Sequence, residues 1–175
     1  MEIVITSAKD VHSTVTFQGI THVLSLLTID EKGMIKLPSF FDRANHLFLD
    51  MDDVLDANVY GAPRLEQVSR ILDWASKLPT DAKLLVHCFA GVSRSTAAAL
   101  AIKVQNDGLD KLTDAIDWLV KHRPIACPNP VITKYADDLL GANGELFKHA
   151  EAVAKSRLIN SYHTSSVTAW RSTLE

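Results

Sequence analysis

The chain has 175 residues, of which 47% are hydrophobic, so it can bury one substantial core. Its formal net charge of −3 and pI near 6.1 argue against the basic surface with which proteins bind nucleic acid or anionic lipid. No apolar run reaches the length of a membrane span, and the first residues lack the pattern of a signal peptide. With only two cysteines, the composition predicts a cytoplasmic protein without a disulfide framework.

Apolar runs and helical periodicities succeed one another along the chain. Four apolar runs predict β-strands at residues 2–6, 20–27, 46–51 and 83–87. Apolar spacing typical of helices covers the segment from Pro63 to Ala75, Thr96 to Gln105, 110–122, Pro130 to about Leu140, and 144–156. Expected stops follow three of these helices, at Pro79, Gly108 and Pro124.

This order of elements predicts an α/β fold with a central mixed, largely parallel sheet flanked by helices. We predict a single domain over residues 1–156. Residues 157–175 are rich in Ser and Thr and have no clear periodicity, which indicates a C-terminal tail, either flexible or packed on the domain.

The most informative segment is 87–95, His-Cys-Phe-Ala-Gly-Val-Ser-Arg-Ser, directly after the last predicted strand. It leads into a run of alanines that favours a helix. Such a segment brings the thiol of Cys88, a row of backbone N–H groups, a helix N-terminus and the guanidinium of Arg94 to one point. The N–H groups, the helix N-terminus and the guanidinium favour a tetrahedral oxyanion, and the thiol lies where it can react with one.

Each side chain of this segment has a predicted role. Cysteines at a helix N-terminus beside positive charge are commonly deprotonated, so Cys88 is the candidate nucleophile. Arg94 can bind two phosphoryl oxygens at once. Ser95 or Ser93 can donate a hydrogen bond to the sulfur when it leaves as a thiolate. His87 is expected to orient the loop rather than to act as a base.

The backbone of the loop is the predicted phosphate site. Gly91 permits a positive φ, which turns successive N–H groups inward. The phosphate is therefore expected to contact Phe89, Ala90, Gly91, Val92, Ser93 and Arg94.

The pattern His-Cys-x-x-Gly-x-x-Arg-Ser resembles the signature of cysteine-dependent protein phosphatases, in particular the compact dual-specificity-like group. The resemblance extends over roughly residues 1–145, through the early strand at 20–26 and the proline-asparagine segment at 123–130, and is greatest to small bacterial tyrosine-phosphatase-like proteins. It implies the cysteine-phosphatase fold and hydrolysis of phosphotyrosine, or of phosphoserine and phosphothreonine as well, through a cysteinyl phosphate.

The leaving oxygen also needs a proton donor, which a neighbouring carboxylic acid can supply. Four aspartates lie at or after the third strand: Asp50, Asp52, Asp53 and Asp56. Strand alternation puts Asp50 on the face opposite the apolar residues. Aligning 46–49 with the family favours Asp53, with Asp52 as the near alternative and Asp56 as a weaker one.

Two further residues have competing interpretations. Asn129 resembles a family asparagine near the pocket, and it is equally suited to cap the next helix. Cys127 is either a bystander or a partner that forms a disulfide with Cys88 on oxidation. The seven histidines show no metal-ligand spacing, so no metal or other cofactor is expected.

The variable positions of the loop limit the classes of substrate that are expected. Phe89, Ala90 and Val92 are not basic, whereas the resemblance associates lysines at these places with inositol phosphates. The expected partner is a phosphorylated protein or a small phosphate monoester, with neither nucleic acid nor membrane insertion. The alternatives are a module that binds phosphate or phosphoprotein without turnover, and a phosphatase of a non-protein monoester.

Overall fold

The sheet is built from the four predicted strands. The computed structural model describes residues 1–157. In chain order its strands are β1 (Glu2–Ser7), β2 (His22–Leu27), β3 (His46–Asp50) and β4 (Lys83–Cys88). They pair in parallel in the order β1-β4-β2-β3, which confirms the α/β fold with a largely parallel sheet. Strand β4 is therefore enclosed by a strand on each side.

Helices connect and flank these strands. They are α1 (Val11–Phe17), α2 (Leu65–Ala75), α3 (Arg94–Asp107), α4 (Leu112–His122), α5 (Pro130–Leu140) and α6 (145–157). The last five correspond to predicted helices, although α2 begins two residues after Pro63. Helix α1 was not predicted, because Val, Thr, Ser and His have modest helix propensity and the segment is short. Its buried Val11 and Val15 lie one turn apart.

Helix α3 lies at the centre of the molecule. Ten of its fourteen residues are buried, including four alanines and Leu100. It packs against α2, α4, α5 and the sheet, and only its last turn, from Lys103 to Asp107, reaches the solvent with polar side chains. The small alanine side chains let these neighbours approach closely, and this packing fixes the start of α3 beside the end of β4.

The carboxyl ends of all four strands lie along one edge of the sheet. Ser7 pairs with Cys88, and Leu27 pairs with Asp50, so β1 ends beside β4 and β2 ends beside β3. The segments 28–45, 51–64 and 89–93 therefore leave the sheet on the same side. In open α/β sheets this carboxyl edge is where ligands bind.

None of the helices within residues 1–157 is long and apolar enough to cross a membrane. Of the predicted tail, residue 157 is the end of the described α6, and 158–175 lie outside the described residues.

Candidate active site

Cys88 is the last residue of β4 and is fully buried. Its sulfur lies 3.3 Å from Ser95 Oγ and accepts a hydrogen bond from the Gly91 amide, also at 3.3 Å. Of the two serines considered, it is Ser95 that contacts the sulfur. Both contacts place a donor where it can stabilise negative charge on sulfur.

The carbonyl groups of loop 89–93 all bind donors outside the loop. The pairs are Ala8 N to Phe89 O (3.0 Å), Arg123 Nη2 to Ala90 O (3.2 Å), Arg123 Nε to Gly91 O (2.7 Å), Cys127 N to Val92 O (2.9 Å) and Asn129 N to Ser93 O (3.3 Å). In a trans peptide the next N–H points opposite to the carbonyl. The amides of residues 90–94 therefore face the inner side of the loop, and among residues 1–157 only that of Gly91 has an acceptor, the Cys88 sulfur.

Gly91 has the backbone conformation that the sequence predicted. Its φ is +71°, which favours glycine. A Cβ at this position would also lie 2.5 Å from the carbonyl oxygen of Thr6 and 2.8 Å from Arg123 Nη2. The close approach of β1 and Arg123 to the loop thus requires a residue without a side chain.

Arg94 is the first residue of α3, and only 3% of its side chain is exposed. Its Nη1 donates to the carbonyl of Met51 (2.8 Å) and to Glu31 Oε2 (3.2 Å). Its buried Nε has no hydrogen-bond partner among the described residues. Nη1 is thus held by protein, whereas Nε has no hydrogen bond and faces only the Asp53 carboxylate, 3.6 Å away.

Glu31 was not identified from the sequence as part of this site. It accepts a hydrogen bond from the Thr28 amide at 3.0 Å, and its own amide donates to Thr28 Oγ1 at 3.2 Å. This reciprocal pair follows the Thr-x-x-Glu pattern of a capping box. The pattern directly after a strand was the available signal, although it does not reveal the contact with Arg94.

Asp53 is the aspartate that reaches the loop. Its Oδ1 accepts hydrogen bonds from Ser93 Oγ (2.6 Å) and Asn129 Nδ2 (3.0 Å). Its Oδ2 lies 3.6 Å from Arg94 Nε, as an ion pair. The carboxyl group is thus next to the position that a bound phosphate would occupy.

The other three aspartates point elsewhere. The Asp52 carboxyl packs against Gly61, where a side chain on the glycine would overlap it. Asp56 accepts from the amide and side chain of Asn58, and Asp50 is exposed, as strand alternation predicted. Within residues 1–157 no three His, Cys, Asp or Glu side chains are placed to hold a metal ion.

Asn129 has both of the roles that the sequence suggested. Its Oδ1 accepts from the amides of Val131 and Ile132 and caps α5. Its Nδ2 donates to Asp53 and to the carbonyl of Val54 at 3.0 Å each. One side chain therefore joins the start of α5 to the segment that follows β3.

Arg123 begins the segment 123–130 that resembles the family, but no role at the site was predicted for it. It follows the last residue of α4, where a basic residue is common because it complements the helix dipole. A basic residue at a helix end therefore needs no further explanation, and nothing in the sequence predicts that Arg123 binds the carbonyls of Ala90 and Gly91. No local pattern would have revealed it.

His87 is a buried residue of β4, and its ring contacts β2 instead of loop 89–93, so the orienting role stays a prediction. Its Nε2 is 2.6 Å from Ser25 Oγ, which is also 2.8 Å from His46 Nε2. Burial, against a smaller opposing effect of the Cys88 backbone, lowers the pKa of His87 to about 4. The ring is therefore neutral at pH 7.

Cys127 contacts the loop through its backbone amide. Burial, followed by the negative charge of Asp53, raises the pKa of its thiol, so the protonated form is favoured at neutral pH. Both cysteines are free in the structure. A disulfide between Cys127 and Cys88 on oxidation stays a prediction.

Comparisons with known proteins agree with this geometry. The 29% identity to MAP kinase phosphatase with leucine-rich repeats protein 2 of Dictyostelium discoideum extends over 111 residues, 63% of this chain and 14% of that protein. Serine/threonine/tyrosine-interacting protein A of Xenopus laevis is 34% identical over 113 residues, 64% of this chain and 47% of that protein. The chain thus spans less than half the length of these relatives.

A solved structure supports the fold independently. The human tyrosine phosphatase-like serine/threonine/tyrosine-interacting protein superposes with a TM-score of 0.63 at 22% sequence identity, covering 81% of this chain and 92% of that one. The family model of the dual specificity phosphatase catalytic domain matches residues 4–135. This match contains the loop, Asp53 and Asn129, and it shows that the chain belongs to the dual specificity phosphatase family.

Proposed function

We propose that the protein is a phosphoprotein phosphatase that hydrolyses phosphotyrosine through a cysteinyl-phosphate intermediate. The observation that carries the proposal is the inner side of loop 89–93. There the Gly91 amide contacts the Cys88 sulfur, the other amides of residues 90–94 have no acceptor among residues 1–157, and the buried Nε of Arg94 has no hydrogen-bond partner. Such a set of donors matches the oxygens of a phosphoryl group.

In the first step the Cys88 thiolate attacks phosphorus and the bond to the substrate oxygen breaks. The loop amides and Arg94 bind the equatorial oxygens, where negative charge is held in the transition state. Asp53, entering as the protonated acid, gives its proton to the leaving phenoxide or alkoxide. Its contacts with Ser93 and Asn129 support this assignment, because they hold the carboxyl at the loop.

In the second step water attacks the cysteinyl phosphate while the Asp53 carboxylate takes a proton from it. The S–P bond breaks, inorganic phosphate is released and Cys88 leaves as a thiolate. Ser95 Oγ and the Gly91 amide, each 3.3 Å from the sulfur, stabilise that leaving thiolate. The proton and charge balance closes without a cofactor.

The loop also supports a class of substrate. Phe89, Ala90 and Val92 carry no positive charge, and the segment after β3 carries three aspartates. A substrate with several phosphates would find no second cation at these positions. A single phosphate on a protein side chain suits the site better than an inositol polyphosphate.

A substrate panel tests the proposal. Wild-type protein, Cys88→Ser and Arg94→Lys are assayed with an aryl phosphate, matched phosphotyrosyl and phosphothreonyl peptides, and an inositol polyphosphate. We expect wild-type turnover of the aryl phosphate and the tyrosyl peptide, and loss of turnover in Cys88→Ser. If wild-type protein hydrolysed none of these substrates, the assignment as a phosphatase would be wrong.

The second candidate is a domain that binds a phosphoprotein without turnover. The observation in its favour is that Asp53 is already engaged by Ser93, Asn129 and Arg94. Rapid-quench kinetics distinguish the two functions. A single burst of released phenol, with phosphate retained on Cys88, favours the binding domain, whereas continued release of phosphate favours the enzyme.

A further inference from the structure

Exposed apolar side chains are concentrated around the candidate active site. Of the twelve large hydrophobic residues that are exposed within residues 1–157, eight lie in the segments at the carboxyl edge of the sheet or in the α4–α5 connection. Five of these eight belong to the loop, lie beside its partners in the chain or line the cavity beside Met51, and we call them the apolar collar: Ile29, Leu55, Tyr60, Phe89 and Ile125.

Three members of the collar, Phe89, Ile125 and Leu55, belong to the loop or follow residues that contact it or its partners. Phe89 is the first residue of the loop and is half exposed. Ile125 lies between Arg123 and Cys127, both of which bind loop carbonyls.

Leu55 follows Val54, whose carbonyl accepts from Asn129. Because Asn129 also binds Asp53, this contact holds the segment of Leu55 beside the candidate acid. Its side chain is 72% exposed.

The remaining two members line one cavity. Ile29 and Tyr60 face a space of about 590 Å³ that also touches Met51, whose carbonyl holds Arg94. Tyr60 is 98% exposed, so its ring covers no other part of the protein. Three carboxylates and one cation also line the space, namely Asp30, Asp50, Asp52 and Arg64.

We infer that the collar binds the polypeptide on either side of the phosphorylated tyrosine, and that it selects large apolar side chains over acidic ones. This inference rests on the proposed function, because a phosphate held at Cys88 obliges the adjoining chain to cross the collar. The excess of carboxylates beside Tyr60 opposes acidic neighbours. The same carboxylates and the net charge of −3 disfavour an anionic membrane as the occupant.

The test compares two phosphotyrosyl peptides that differ only in their flanks, one with Phe and Leu and the other with Glu and Ser. The variants are Tyr60→Ser and Leu55→Ser, and Phe17→Ser is the matched control. Phe17 is 82% exposed at the end of α1, away from the carboxyl edge. An aryl phosphate without flanks measures the chemistry alone.

For wild-type protein we expect kcat/KM to be about tenfold higher for the apolar peptide. Each collar variant is expected to reduce that preference by roughly three- to fivefold while the rate with the aryl phosphate stays unchanged. Phe17→Ser should keep the full preference. Equal kcat/KM for both peptides, or a preference unaffected by the collar variants, would overturn the inference.

Binding separates this inference from the proposed function. Fluorescence anisotropy of both peptides with the Cys88→Ser variant measures flank preference even if wild-type protein turns over no substrate. Sedimentation with vesicles of phosphatidylcholine and phosphatidylserine tests whether the collar binds an anionic membrane instead of a peptide. Vesicle binding that depends on Tyr60 and Leu55, without a preference between peptides, would identify the collar as a membrane surface and overturn the inference.

Discussion

Asn129 donates from Nδ2 to Oδ1 of Asp53 at 3.0 Å, across 76 residues of sequence. The same side chain caps α5 through Oδ1. A structural contribution and a contribution to the candidate chemistry are therefore carried by different atoms of one residue. Substitutions can separate them, because aspartate retains the acceptor but lacks the donor.

We expect Asn129→Asp to retain most of the stability of α5 and to lose activity, because its carboxylate would repel Asp53 instead of holding it. Asn129→Ala should lose both stability and activity. Loss of the helix cap should lower the free energy of unfolding by about 1 kcal/mol. Urea unfolding and kcat with an alkyl phosphate measure the two effects. Equal activity in Asn129→Asp and wild-type protein would show that the contact with Asp53 is catalytically unimportant.

The identity of the general acid is tested by leaving-group dependence. We expect Asp53→Asn to lower kcat about 100-fold for an alkyl phosphate and far less for p-nitrophenyl phosphate, whose phenoxide leaves without a proton. Asp52→Asn is the matched control, since that side chain packs against Gly61 instead of the loop. The assignment fails if the two variants show the same leaving-group dependence.

Arg123 is predicted to support phosphate binding without touching phosphate. Removing it in Arg123→Ala leaves the carbonyls of Ala90 and Gly91 without their donors, so the inner amides lose their fixed direction. We expect the inhibition constant of inorganic phosphate to rise about tenfold, from the loss of charge-assisted hydrogen bonds. Arg70→Ala, at an exposed position on α2, controls for the loss of one positive charge. Unchanged phosphate inhibition in Arg123→Ala would contradict this role.

His87 is expected to make the protein sensitive to acid. Its pKa is about 4 in the folded protein, below the ordinary 6.5, so the unfolded chain takes up the proton first. The stability that His87 contributes is complete above pH 6.5 and is lost as the pH falls from 6.5 to 4, by about 3 kcal/mol at most.

Urea unfolding of wild-type protein and His87→Gln at pH 7 and pH 4.5 measures this dependence. The variant should lose less stability on acidification than wild-type protein does. His12→Gln, at an exposed position, should behave as wild type. If His87→Gln and wild type lost equal stability, another group would be responsible.

The parts of the fold that could be predicted are those recorded locally in the sequence. The four apolar runs and the segment 87–95 specify their structures from adjacent residues, and Gly91 has the conformation that its position demanded. The contacts of Arg94 with Glu31 and of Gly91 with Arg123 span 63 and 32 residues. Neither leaves a local pattern, because each depends on where the sheet brings two loops together. The family alignment favours Asp53 among the four aspartates, but its contacts with Ser93 and Asn129 span 40 and 76 residues and also leave no local pattern.

The five outward-facing carbonyls of loop 89–93 have a thermodynamic consequence. Because residues 123–129 hold four of them and Ala8 holds the fifth, the anion site is pre-organised and loses little conformational entropy when an anion binds. Tetrahedral oxyanions of similar size should then bind with similar affinities, since loop 89–93 does not adjust to the rest of the bound molecule. The surface outside loop 89–93 must therefore discriminate between one phosphate monoester and another.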